Sequence, residues 1–282
     1  MSNTIDANLT NQIIGASGIG AGASTGYVAP LLAYATRIRP LGEARTGIVE
    51  VPLLSGFTSA ATSGAFNSGN CTAAAIAVDV AHYRKAIHFS SPHRNQGMAP
   101  GQHLVDAAIA NLELELQAVA LAKITNATHG AADIESTAAN FDTTDLEALA
   151  AASTSSPRAA LISTAALAGV AQDLKREGGR WIYPGLDNGV FEATLNAGEA
   201  DVAVVAGSQA FAFIVEKPLG LENLPAPSGL KVSEIVLPRL GIPCWRSEWF
   251  DLATREQWIS LHLLFGASAA DATALSYAAA PA

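Results

Sequence analysis

Charge is the scarcest resource in this sequence: Asp, Glu, Lys and Arg make up 15% of its 282 residues. The shortage is concentrated near the N-terminus. From Met1 to Thr36 the one charged residue is Asp6, and from Thr46 to Val78 it is Glu50. Lys and Arg number 16 against 25 Asp and Glu, for a net charge of −9. Gripping nucleic acid phosphates takes clustered cations, so that class of function is excluded. Enclosing nucleic acid without gripping it stays compatible, because an acidic wall repels phosphate non-specifically. Cysteine is almost absent: Cys71 and Cys244 are far apart and in no metal-ligand spacing, which excludes a disulfide framework or a zinc site. Both are expected to be small buried thiols. The most apolar run, residues 159–171, falls short of the roughly 20 residues a membrane span needs. Met1 to Asp6 shows no basic signal-peptide region. The expectation is a soluble protein made in the cytoplasm.

Catalytic motifs are missing too. Ile13 to Gly20 looks like the glycine turn of short-chain dehydrogenases, but two residues separate Gly15 from Gly18 where that family has three. None of Tyr27, Tyr34, Tyr83, Tyr183 or Tyr277 has Lys four positions on. No Gly-x-Ser-x-Gly elbow or Walker loop occurs. The histidines, His82, His88, His93, His103, His129 and His262, contain no pair at helical metal-binding spacing and are expected to be surface or sheet-lining. The carboxylates Glu113, Glu115, Glu199 and Asp201 read as solvated charge. Trp245, Trp249 and Trp258 read as packing for a hairpin or a subunit contact. The chain is therefore expected not to be an enzyme, and to need no cofactor and no metal.

What the sequence does contain is a 50% hydrophobic composition, enough for a substantial core. A glycine-rich N-terminal stretch is costly to fold as helix or strand and is expected to form an arm. The segments Ile48–Leu54 and Ala74–Val80 read as the strands of a long hairpin, turning through Gly56, Gly64 and Gly69, with the second strand continuing to Phe89. A lone two-stranded ribbon is marginal in water, and a nearly uncharged one invites association. The arm is thus expected to be buried against a neighbouring copy through Val51, Leu53, Leu54, Phe57 and Phe66.

From Gly101 to about Asn126, Leu104, Ala108, Leu112 and Leu116 recur at fourfold spacing, widened by Val105, Ile109 and Val119, and predict a long helix ended by Gly130. Asp142 to Asp145 is expected to cap a helix over 146–152, and Ser155 to Pro157 a second over 158–176. Residues 201–207 and 210–215 read as strands, and 232–237 and 258–264 as a final pair of extended runs. Helices and strands fall in blocks, so the fold class is α+β.

This order of elements, together with the passages from Val205 to Pro218 and from Gly266 to Leu275, resembles the major capsid proteins of tailed double-stranded DNA phages, the Hong Kong ninety-seven fold. The resemblance implies an N-terminal arm over residues 1–44, an extended E-loop over 45–98, a spine helix over 99–130, an A-domain over 131–229, and P-domain strands with the C-terminal tail over 230–282. It implies self-assembly into hexamers and pentamers of an icosahedral shell, found in the virion and made in the host cytoplasm. Scaffolding, portal and decoration proteins would be its partners, with DNA enclosed without sequence-specific binding and no membrane. Some members of that family join subunits covalently through an E-loop Lys. No Lys lies between Thr46 and Val78, so this arm cannot supply that link. No charged N-terminal coiled coil is present to act as a fused scaffold. An encapsulin-like compartment, or a dehydrogenase-type soluble enzyme, are the alternatives to a phage shell.

Overall fold

In a computed structural model, the described residues are 36–37, 46–55, 72–89, 100–177, 180–195, 197–207, 210–219, 221, 230–251, 253 and 256–281. The Gly-rich N-terminal stretch, the hairpin tip with Gly56, Gly64, Gly69 and Cys71, and the sites Phe57 and Phe66 lie outside them. The described strands are β1 (Thr36–Arg37), β2 (Gly47–Ser55), β3 (Thr72–Phe89), β4 (Ile134–Glu135), β5 (Arg158–Ser163), β6 (Lys175–Glu177), β7 (Arg180–Tyr183), β8 (Leu186–Ala193), β9 (Ala203–Gly207), β10 (Phe211–Glu216), β11 (Lys231–Val236), β12 (Pro243–Asp251), β13 (Glu256–Ala269) and β14 (Leu275–Ala279). The helices are α1 (Pro100–Leu121), α2 (Asn126–His129), α3 (Thr143–Ala152) and α4 (Thr164–Val170).

Two sheets carry the architecture. In the first, β13 is the hub. One of its edges pairs with β3, from Gln257–Phe89 to Gly266–Val80. The other pairs first with β12, from Asp251–Glu256 to Trp245–His262, and then with β10, from Glu216–Leu264 to Phe211–Ala269. Strand β11 pairs antiparallel with β12, and β1 runs parallel to β10. The second sheet has the order β4-β14-β9-β5-β8-β7-β6.

Strand β3 belongs to two structures at once. Its C-terminal half lies on β13, whereas its N-terminal half, from Val80 back to Thr72, pairs with β2 from Gly47 to Ser55. Its 18 residues span roughly 60 Å at about 3.3 Å per residue, well beyond an ordinary strand. The long hairpin expected over Ile48–Leu54 and Ala74–Val80 is therefore present, and its second strand does continue to Phe89.

The core is layered on alternating strand positions. Leu112, Leu116, Ala120 and Leu121 of α1 bury against Leu261, Leu263 and Phe265 of β13 and Phe211 and Phe213 of β10, with Leu161, Val204 and Ala206 of the second sheet in the same cluster. The intervening positions Ala160, Ile162, Ala203 and Val205 face the opposite way and pack with Leu146 and Leu149 of α3 and Ala166 and Val170 of α4. Both faces of β5 and β9 are thus covered. The period-2 alternation in the second sheet sorts side chains between two cores rather than between core and water.

Helix α1 ends at Leu121, short of the expected Asn126. A turn through Lys123 leads into α2, which Gly130 terminates at φ 84°. Close above that turn sits Gly198 at φ +77°, where a Cβ would meet Leu121 O at 2.3 Å. Only glycine lets this backbone approach the helix end. Glu199 N then donates to Ile124 O at 3.0 Å, and Asn126 N donates to Glu199 Oε2 at 2.6 Å. At α3 the expected cap is realised, since the Asp142 carboxylate accepts from Thr144 N and Asp145 N.

One expectation fails: residues 158–176 are not a single helix. Arg158–Ser163 is a central strand with four consecutive buried residues, and only Thr164–Val170 is helical, capped by Ser163. A run of Ala-Ala-Leu-Ile has high helix propensity and no alternation. A strand buried on both faces shows no alternation either. The strand Pro243–Asp251 was likewise not expected as a strand.

Candidate functional site

The described half of the predicted contact surface is the hairpin itself. Val51, Leu53 and Leu54 stand in register with Ile76, Ala74 and Ala73. Further along the same ladder, Val49 is in register with Val78. Val78 is fully buried and packs with Val80, Ala212, Ile214 and Leu264 where the hairpin joins the body. At the start of β2, the side chain of Ile48 is 72% exposed. Glu50 is the one charged residue of β2, and β3 has none from Thr72 to Val78. Ile48 was absent from the residues expected to make contact, although its place at the start of the Ile48–Leu54 run could have found it.

The join is built tightly. Val80 pairs with Gly47 on one side and Gly266 on the other. At Gly266 a Cβ would meet Asp79 O at 2.6 Å and Val78 Cγ1 at 2.8 Å, so the absence of a side chain there lets the β3 backbone lie close to β13 where their pairing ends. Further apolar groups face outward on the body: Leu104 and Leu114 on α1, Leu219 after β10 and Val236 on the edge strand β11. Leu104, expected on the buried stripe of α1, is thus exposed, while Val105 beside it packs against Ile259.

The polar residues that might have carried chemistry are tied into the framework. Glu113 is 2% exposed, which corrects its reading as solvated charge. Its Oε1 accepts from Arg239 N at 2.6 Å and fixes the turn between β11 and β12 to α1. Burial pushes this carboxyl above the usual range, against the pull of the Arg239 and Leu240 backbone N–H groups. Glu115 instead pairs with Lys85 Nζ at 2.6 Å on the helix-facing side of the first sheet. Asp201 Oδ1 accepts from Ala280 N at 2.9 Å, and Glu199 caps α2 as described. These two are also structural rather than merely solvated.

Cys244 is a buried free thiol, and burial pushes its pKa up to about 11, far from the reactive thiolate range. Trp249 and Trp258, directly paired across β12 and β13, stack at 5.9 Å with planes 6° apart, in line with the expected hairpin packing.

His82 and His262, 180 positions apart, meet at 3.4 Å between Nε2 and Nδ1, a pairing that sequence spacing could not show. Among the described residues no group of three or more His, Cys, Asp or Glu is placed to hold a metal ion, and no helix is long and apolar enough to cross a membrane.

No family model matches the chain, and no curated protein does. Solved structures do. A chain in the capsid of Ralstonia phage GP4 is 11% identical with a TM-score of 0.50, over 89% of this chain and 89% of that one. A chain of Mycobacterium phage Adephagia is 12% identical with a TM-score of 0.50, over 92% of each. A chain in the capsid of an empty GTA particle is 10% identical with a TM-score of 0.50, over 93% of this chain and 92% of that one. At such identities the likeness speaks to fold, and it runs nearly end to end: this mixed helix-and-sheet chain has the phage-capsid fold of the Hong Kong ninety-seven type.

Proposed function

We propose that this chain is the repeating subunit of an icosahedral shell that encloses the double-stranded DNA of a tailed phage. One observation carries the reading: a hairpin almost free of charge, with Ile48 72% exposed, extends from a body that holds large buried clusters of its own. Water is a poor solvent for such an arm, and a neighbouring copy is the simplest surface to cover it. Burying it contributes roughly 25 cal/mol per Å² of apolar area, repeated at every contact of the shell, so weak interfaces add to a stable closed particle.

On this reading the chain divides into an N-terminal arm (1–44), an E-loop (45–98), a spine helix (99–130), an A-domain (131–229) and P-domain strands with the tail (230–282). Val51, Leu53, Leu54, Phe57 and Phe66 make the subunit contact, and Ile48 joins them. The subunits form hexamers and pentamers, and the role is structural rather than catalytic. The net charge of −9 suits a wall that contains DNA without holding it. Scaffolding, portal and decoration proteins are the partners this role calls for, and the virion is its place.

Electron microscopy with sedimentation velocity on the chain expressed alone tests the proposal. Uniform closed particles, roughly tens of nanometres wide, support it, and a discrete dimer or tetramer contradicts it. Particles isolated from their native source should hold nuclease-protected DNA; a protein cargo in its place would contradict the phage reading while leaving the shell intact.

A further inference from the structure

The face of the first sheet opposite α1 carries a polar row where an apolar one would be ordinary. Register places Ser247 beside Ser260, Trp245 beside His262 and His262 beside Arg84. His262 is 3% exposed, and Ser247 and Ser260 are fully buried. Its Nε2 lies 3.1 Å from Ser247 Oγ, and its Nδ1 lies 3.4 Å from His82 Nε2. The two rings stack at 5.6 Å with planes 26° apart. Arg84 Nε donates to Ser260 Oγ at 3.2 Å, which sets a permanent cation beside the pair.

The facing nitrogens allow one proton between them. In either tautomer one ring donates and the other accepts, and a singly protonated pair can do the same. A second proton leaves two N–H groups pointing at each other beside a guanidinium. Few carboxylates are placed to compensate. Glu216 stands in the row of Leu264 and His82 but one strand further off, about 10 Å across two inter-strand spacings. Glu234 stands beyond Trp245 in the row of His262. Arg246, Glu248 and Lys85 occupy the alternate positions, which face α1, where Arg246 pairs with Glu248 and Lys85 with Glu115.

The location gives the pair its meaning. His82 lies two residues from Val80, where β3 changes partner from β13 to the hairpin strand β2. We infer that the His82–His262 pair is an acid-sensitive latch: its double protonation loosens the β3 segment from Val80 to Phe89 on β13 and so frees the base of the hairpin.

Burial together with Arg84 and His82 holds His262 at a pKa of about 4, and burial together with Arg84 lowers His82. For a histidine whose folded pKa is depressed, the stabilising effect is complete above the ordinary value of about 6.5 and fades as pH falls toward the folded value. The latch therefore weakens between pH 6.5 and about 4.

Hydrogen exchange of the 80–89 amides tests this on the purified full-length chain, taken as a ratio to the β9 amides in the same sample so that intrinsic pH dependence cancels. From pH 6 to pH 5 the ratio should rise by more than about tenfold, because the loosened form binds a proton at each of the two histidines and each proton contributes up to about tenfold. In His82→Gln, which keeps hydrogen-bonding groups but does not titrate, the rise should shrink to about tenfold or less, the share of His262 alone. His82 is exposed, so this variant spares the core, and His82→Asn is a second form of the same test. A flat ratio in the unmodified chain, or an undiminished rise in both variants, would overturn the inference.

Discussion

In β13, residues 259 to 267 are buried without interruption, whereas in β2 the described apolar side chain, Ile48, is 72% exposed. Both strands satisfy their backbone in antiparallel ladders, β13 along two edges and β2 along one. The difference lies in side chains. Around β13, Phe, Leu and Trp from β10, β12 and α1 interlock in one cluster. Opposite β2, the partner residues Ala73, Ala74, Ala75 and Ala77 have little to bury. A ladder in which one strand offers mostly alanine holds its shape but gains little from leaving water. The body thus stabilises itself, and the hairpin is left for another surface to stabilise.

Substitutions at matched places separate the two regions. Leu112→Ala, in the body core, should cost about 2–5 kcal/mol of folding stability, read from denaturant midpoints. On the arm, Ile48→Asp should change folding by less than about 0.5 kcal/mol yet prevent closed particles from forming, as sedimentation would show. Phe57→Asp and Phe66→Asp should behave as Ile48→Asp does. Normal shells from all three would remove the distinction.

At the join, Gly266→Ala forces a Cβ against Asp79 O and Val78 and should cost about 1–3 kcal/mol, with exchange rising first in β3. Away from the join, Asp142→Ala removes the α3 cap for about 1 kcal/mol, seen as a lower thermal midpoint with assembly intact. Smallest of all is Lys85→Ala. It breaks a part-exposed ion pair with Glu115 worth at most about 1 kcal/mol, and high salt should erase the difference.

What could be read from the sequence follows from how local each signal is. The hairpin announces itself through β-branched and apolar residues with almost no charge, α1 through fourfold spacing, and α3 through Asp142, because each is written in a few neighbouring residues. Residues 158–163 failed for the opposite reason. Whether Ala159-Ala160-Leu161-Ile162 is helix or strand is decided by β8 and β9 on either side of it, which lie tens of residues away. Strand β12 was obscured by Gly241 and Pro243 at its entrance and by the polar residues Arg246, Ser247 and Glu248 within it. Glu113 looks like any exposed helix carboxylate until the turn at Arg239 is folded onto it. The His82–His262 contact likewise exists only once β3 lies on β13. Of the contact residues, Val51, Leu53 and Leu54 could be placed on a strand from sequence, but their register with β3 exists only once the hairpin is folded.

The central claim is that the hairpin is completed by a neighbour, and hydrogen exchange across residues 47–55 and 72–79 measures this directly in closed particles and in dissociated subunits. The account predicts amides that exchange quickly in the free subunit and become protected on assembly, while the β13 amides stay protected in both. Equal protection of the hairpin in the two states would contradict it.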